Sequence, residues 1–319
     1  MLTYSQFAFV AALICTVLAT LAYLWAMAAG HRASLQAARP RDRVRVGAGT
    51  GDLIDDLESI PGVVEPDQGR DAGRDPGREA GPTAATLARY GTRLTWLALA
   101  LLTAALILRM LATGHGPFVS QYEFAMSAAW GMLLAYAYFE WRYRARTLAL
   151  FVMPLVVIAL AYAGTQESKA DPLIPALQNS LLLTIHIIVA VFAYGAFAVS
   201  FAAAALDLWT PQRWRHLIPT SEVLDRIGYR AVVIGFPLDT MVIVIGAVWA
   251  EIAWGSYWSW DPKETASLVT WLIYGGYLHA RVARGWTGKR AAWLLVIGFA
   301  SVVLTFVGNS FFGGLHSYG

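Results

Sequence analysis

Long apolar runs recur along this chain, and they limit what it can fold into more than any other feature. A helix needs roughly 18 or more mostly apolar residues to cross the hydrocarbon core. A sheet edge facing lipid would leave its backbone groups without hydrogen bonds, so helices are the spanning form. Eight runs fit: Phe7–Gly30, Leu94–Ala112, Tyr122–Phe139, Leu148–Ala163, Leu181–Ala205, Ala231–Ala250, Ala266–Ala283 and Ala291–Phe311. Composition agrees, because 57% of the 319 residues are hydrophobic and only 14% are charged. A soluble domain carries about a quarter charged residues. The expectation is an all-α, polytopic membrane helix bundle of about eight transmembrane helices. The first run lacks a basic lead-in and is too long for a signal-peptide core, so it is expected to remain as a span.

Basic residues predict the orientation. The loops after spans one, three, five and seven hold 10, 3, 4 and 4 Lys and Arg residues, of 24 in the chain. Only Arg109, Lys169 and Lys263 lie toward the other side. Basic loops stay cytoplasmic, so both termini are expected outside, in a cell (cytoplasmic) membrane facing periplasm or exterior. The net charge of +3 is therefore a topology signal and does not point to nucleic acid. RPRDRVRV (39 to 46) is expected to sit against anionic lipid headgroups. Three sections follow: a first transmembrane helix (1–30), a disordered cytoplasmic loop (31–92) and a membrane domain (93–319). The middle section carries the quasi-repeat GRDAGRDPGREAG (69 to 81), which has too little apolar surface to build a core.

Several chemistries are excluded. The single cysteine, Cys15, lies inside the first span and reads as an apolar filler. No C-x-x-C and no C-x-x-C-H occurs, so the chain is no thiol oxidoreductase and carries no covalent haem of its own. No G-x-x-x-x-G-K-[ST] occurs, which removes ATP hydrolysis by that route.

What remains is concentrated in WGSYWSWDPKET (254 to 265), an outward loop between spans six and seven. Aromatic belts at membrane interfaces account for scattered tryptophans. Here Trp249, Trp254, Trp258 and Trp260, four of thirteen, fall within twelve residues, which favours a binding platform. Among six histidines, His31 and His216 read as surface residues on the cytoplasmic side, and His115 lies in an outer loop. His186, near the outer end of span five, and His316, past span eight, fall at one membrane level. His279 lies inside span seven. A lone histidine at a helix end is usually a hydrogen-bonding residue. Ionisable groups within spans nevertheless lean functional. Zinc would call for three or four ligands. Two imidazoles flanking a flat aromatic site suit an iron porphyrin with axial ligands on both faces. Indoles cover such a ring, and a cation holds its carboxylates. Lys263 is the nearby cation, or else it pairs with Asp261 or Glu264 and shapes the loop. Asp239, an acid inside span six near Pro237, is either functional or a local cap.

WGSYWSWDPKET and the following SLVTWLIYGGYLHAR (267 to 281) resemble the tryptophan-rich WWD motif and next helix of the haem-handling proteins. Within that superfamily the chain is similar to the CcsA family (also called ResC, or CcsB in some lineages) of system II cytochrome c biogenesis. PLIPALQNS before His186, GFP (235 to 237), PFVSQYEF after span two and GLHSYG at the end look like further family landmarks. The resemblance covers most of residues 114–319. It departs at Ala266, where the family often has an aromatic.

The resemblance implies haem b as transported substrate, ligated outside by His186 and His316. Trp254, Tyr257, Trp258, Trp260, Asp261 and Lys263 would line that site. It implies His279 as a ligand of a second, intramembrane site completed by a ResB-type membrane partner. Haem lyase (synthetase) activity would arise only with that partner, joining haem to the C-x-x-C-H cysteines of apocytochrome c. A thioredoxin-like thiol reductant is a further implied partner. The alternatives are a transporter with a tryptophan lid, or a scaffold without lyase chemistry.

Overall fold

The computed structural model describes residues 1–38, 81–118, 120–169 and 180–307. Among these it contains eight α-helices and no strand. They are α1 (Leu2–Ala38), α2 (Gly81–Thr113), α3 (Gln121–Tyr143), α4 (Ala149–Thr165), α5 (Ser180–Trp209), α6 (Ser221–Trp254), α7 (Pro262–Arg284) and α8 (Gly288–Val307). Each expected span falls within or overlaps one helix, in order. Short 3₁₀ turns, Arg146–Leu148 and Gln212–Leu217, lead into α4 and follow α5.

Six of the eight, α1, α2, α4, α5, α6 and α8, are long and apolar enough to cross a membrane. The helices α3 and α7 have 23 residues each, about 35 Å at 1.5 Å per residue, so length does not separate them. Their Trp, Tyr and Gly residues and terminal charges keep mean hydropathy low. Two helices also run beyond their apolar stretches: α1 reaches Ala38 and α2 begins at Gly81. The loop expected over 31–92 is therefore helical at both ends. Its middle, 39–80, lies outside the described residues.

Lipid offers no hydrophobic drive for one helix to prefer another, so packing rests on small residues and polar contacts. A Cβ on Gly131 would lie 2.5 Å from the Val191 carbonyl oxygen, and one on Gly195 2.4 Å from that of Gly131. Helices α3 and α5 thus run in backbone contact, which any larger side chain would prevent.

Polar contacts fix the two ends of the bundle. At one end, Ser5 Oγ donates to the Ala105 carbonyl at 2.8 Å. Arg109 of α2 is ion-paired with Glu123 in the first turn of α3. Its other nitrogens donate to the carbonyls of Ser168 (2.9 Å) and Lys169 (3.1 Å) after α4. At the opposite end, Glu140 accepts from Tyr23 at 3.0 Å and from Thr92, and faces Arg146. There too Arg215 meets Asp207 at 2.8 Å, and Arg281 meets Asp225 at 2.5 and 2.8 Å.

Candidate functional site

The aromatic loop owes its shape to two helix ends. Helix α6 finishes at Trp254, and Gly255 turns the chain with φ 74°, its N–H donating to the Glu251 carbonyl at 2.9 Å. Only glycine takes that conformation at no steric cost. Asp261 then caps α7, with Pro262 at the first helical position. The Glu264 carboxylate accepts from Ser259 N (2.9 Å), Ser259 Oγ (3.2 Å) and Asp261 N (3.3 Å). One acid thus gathers three donors of the loop. Between them Trp260 has φ 57°, a left-handed conformation costing about 1–3 kcal/mol for such a residue. The flanking capping bonds, with Thr265 Oγ1 donating to the Trp260 carbonyl at 3.4 Å, hold it there.

That strained turn presents flat surface. Tyr257 is 59% and Trp260 69% exposed, while Trp254 and Trp258 are half-buried. Trp254 stands edge-on to Trp249 at 4.7 Å between centroids, and Trp258 edge-on to Trp260 at 5.7 Å. Edge-on contact favours each pair by about 0.5–1.5 kcal/mol, and the exposed Tyr257 and Trp260 offer open ring surface.

Lys263 reaches across to α3, where its ammonium lies 5.2 Å from the centre of the Phe124 ring. Burial pushes its pKa below the ordinary lysine value, and the Asp261 charge opposes part of that shift. Phe124 in turn stacks on Phe306 near the end of α8, centroids 5.1 Å apart. Asp261 is buried and accepts from Lys263 N at 2.9 Å as the α7 cap.

The histidines separate. His186 of α5 is half-buried against α6: a Cβ on Gly246 would lie 2.8 Å from its Cε1. Gly246 precedes Trp254 by eight positions, about 12 Å along the helix, so the imidazole lies below the aromatic loop at the same end. His279 is exposed on α7. His316 lies outside the described residues; α8 ends at Val307, and Phe306 meets Phe124 at the loop's end of the bundle. Asp239 is 0% exposed, and its carboxylate makes no hydrogen bond among the described residues.

Phe124 and Phe306 joined the site only through the fold. Their one sequence signal was that Phe124 closes the PFVSQYEF stretch. Among the described residues no group of three or more His, Cys, Asp and Glu side chains could hold a metal ion. The exposed faces of Tyr257 and Trp260 suit a flat, largely apolar molecule.

Among the described residues, fold and site define a helical, multi-pass membrane protein with an exposed aromatic loop at one end. The family described as "Cytochrome C assembly protein" matches residues 119–316. Cytochrome c biogenesis protein CcsA of Guillardia theta is 36% identical over 258 residues, covering 72% of this chain and 85% of that one. CcsA of Synechococcus sp. (strain RCC307) is 36% identical over 253 residues, covering 69% and 81%. The solved structure of cytochrome c haem lyase CcmF aligns with TM-score 0.55 at 18% identity, over 92% of this chain and 46% of that one. This chain thus spans about half of that larger protein, and the likeness is one of fold. The chain belongs to the CcsA family of cytochrome c biogenesis proteins.

Proposed function

We propose that this protein carries haem b across the cytoplasmic membrane and presents it at the aromatic loop for attachment to apocytochrome c. The observation that carries the reading is His186 packed on Gly246 beneath an exposed indole platform. Imidazole is a common ligand of haem iron, and the platform offers faces for the porphyrin. His316 would close the other axial position, and bis-imidazole ligation would shield the iron until the apocytochrome arrives. Lys263 would leave the face of Phe124 to pair with a propionate, because a carboxylate is a stronger partner for ammonium than a ring.

His279, exposed on α7, is suited to a second haem shared with a ResB-type membrane partner, since an imidazole facing lipid alone is costly. In this reading both termini and the loop face periplasm or exterior. A thioredoxin-like reductant keeps the C-x-x-C-H thiols reduced. Holding both vinyl groups against both thiols supplies the rate of thioether formation through orientation, in the complex with the partner.

The test is co-expression with a ResB-type partner and a C-x-x-C-H reporter, reading covalent haem on the denatured reporter. Maturation is expected with the native chain and at most a few per cent of it with His186→Ala. Full maturation with His186→Ala would leave a scaffold role. A complex that never contains haem would leave a transporter of something else.

A further inference from the structure

At the end of the bundle opposite the aromatic loop, the fold joins two histidines that lie far apart in sequence. His31 belongs to the last turns of α1, and His216 to the 3₁₀ turn Gln212–Leu217. Their ring centroids are 6.1 Å apart. His31 also stacks on Trp214, centroids 4.2 Å apart and planes within 22°.

The hydrogen bonds fix a tautomer. Ser34 has one hydroxyl proton, and it is donated to the His31 carbonyl oxygen at 2.7 Å. Ser34 Oγ therefore accepts from His216 Nε2, 3.0 Å away, so Nε2 carries the proton. Neutral His216 then has its lone pair on Nδ1. Holding the far N–H of an imidazole on an oxygen is how proteins orient a ligating histidine. His31 Nδ1 is buried and has no hydrogen-bond partner among the described residues. Leaving a buried polar atom unpaired is costly, and a metal would satisfy it.

We infer that His31 and His216, oriented by Ser34 and Trp214, form a two-imidazole site for a transition-metal centre. Imidazole nitrogens bind metals at about 2.0–2.1 Å, which puts each ring centre about 3 Å from the ion and two rings on one ion up to about 6 Å apart. The observed separation of 6.1 Å reaches that upper limit, the spacing of two rings on opposite sides of one ion. Two imidazoles leave other positions for water or for a porphyrin's own nitrogens. The centre arrives as a free divalent ion or as the iron of haem. Arg32 and Arg213, next in sequence to His31 and Trp214 and both exposed, add positive charge. That favours a centre bringing carboxylates over a bare dication. The inference does not rest on the proposed haem handling by the aromatic loop.

The full-length chain, purified in detergent and stripped with chelator, is titrated separately with zinc ion by calorimetry and with haemin by its Soret band. A background carrying His186→Ala, His279→Ala and His316→Ala is expected to keep one metal centre per chain. Adding His216→Ala abolishes it, and Ser34→Ala weakens it about 10- to 100-fold. Retention of haemin alone assigns haem; retention of zinc assigns a free ion. In the otherwise native chain, His216→Ala lowers the stoichiometry by one, and this exposed residue can change without a packing loss. Binding unaffected by His216→Ala, or no binding of either titrant in the background and the native chain, overturns the inference.

Discussion

At the scale of single residues, the site depends on one missing side chain and one carboxylate. A methyl group on Gly246 would lie 2.8 Å from His186 Cε1, so Gly246→Ala must move the imidazole. Crowding costs about 1–3 kcal/mol, and the better helix propensity of alanine returns about 1 kcal/mol. Net stability should move little, while haem retained per purified chain should fall severalfold. Haem retention unchanged beside an unchanged melting temperature would remove His186 from the site. Glu264 is the second lever, since three loop donors converge on it. Glu264→Ala should cost about 1 kcal/mol as lost capping and let Trp260 leave its left-handed conformation. Weaker haem binding with near-native melting is the expected result, with Glu264→Gln intermediate. The loop's residues were legible in the sequence as a dense aromatic run. The left-handed Trp260 was not, because a backbone angle set by converging hydrogen bonds leaves no mark in residue order.

At the scale of helices, the buried pair of Arg109 and Glu123 sets how α2 and α3 meet. Both side chains are almost fully buried, 1% and 2% exposed. Breaking a buried pair from one side leaves an uncompensated charge and costs about 3–5 kcal/mol. Arg109→Met should lower thermal stability by that order, and Arg109→Met with Glu123→Gln should recover part of it. A single variant that melts like the native protein would show the pair to be dispensable. The sequence located the eight helices found among the described residues, because each centres on an apolar run. It shortened α1 and α2, whose ends at Ala38 and Gly81 continue past the apolar stretch in alanine-rich segments that sustain helix in water. It also counted Arg109 only as a topology charge, since a pair between two helices is a tertiary fact.

At the scale of the whole molecule, the bundle places two side-chain clusters at its two ends. One carries the aromatic loop, His186, Lys263 and Phe124; the other carries the His31, Trp214 and His216 cluster. The family was readable from WGSYWSWDPKET together with the landmarks around it, and the loop's place from the apolar spans on either side. The contact of Phe124 with both Lys263 and Phe306 was not, nor was the pairing of His216 with Ser34 across 182 positions. Such contacts depend on which helices become neighbours, and hydropathy does not encode that. The central claim is that the aromatic loop is a haem platform clamped by imidazoles. Its most direct test is the visible spectrum of the protein purified with its ResB-type partner, before and after dithionite. The account predicts a Soret band, with sharp α and β bands on reduction that are lost in the His186→Ala/His316→Ala double variant. A partnered complex without haem, or a double variant with the same reduced spectrum, would contradict it.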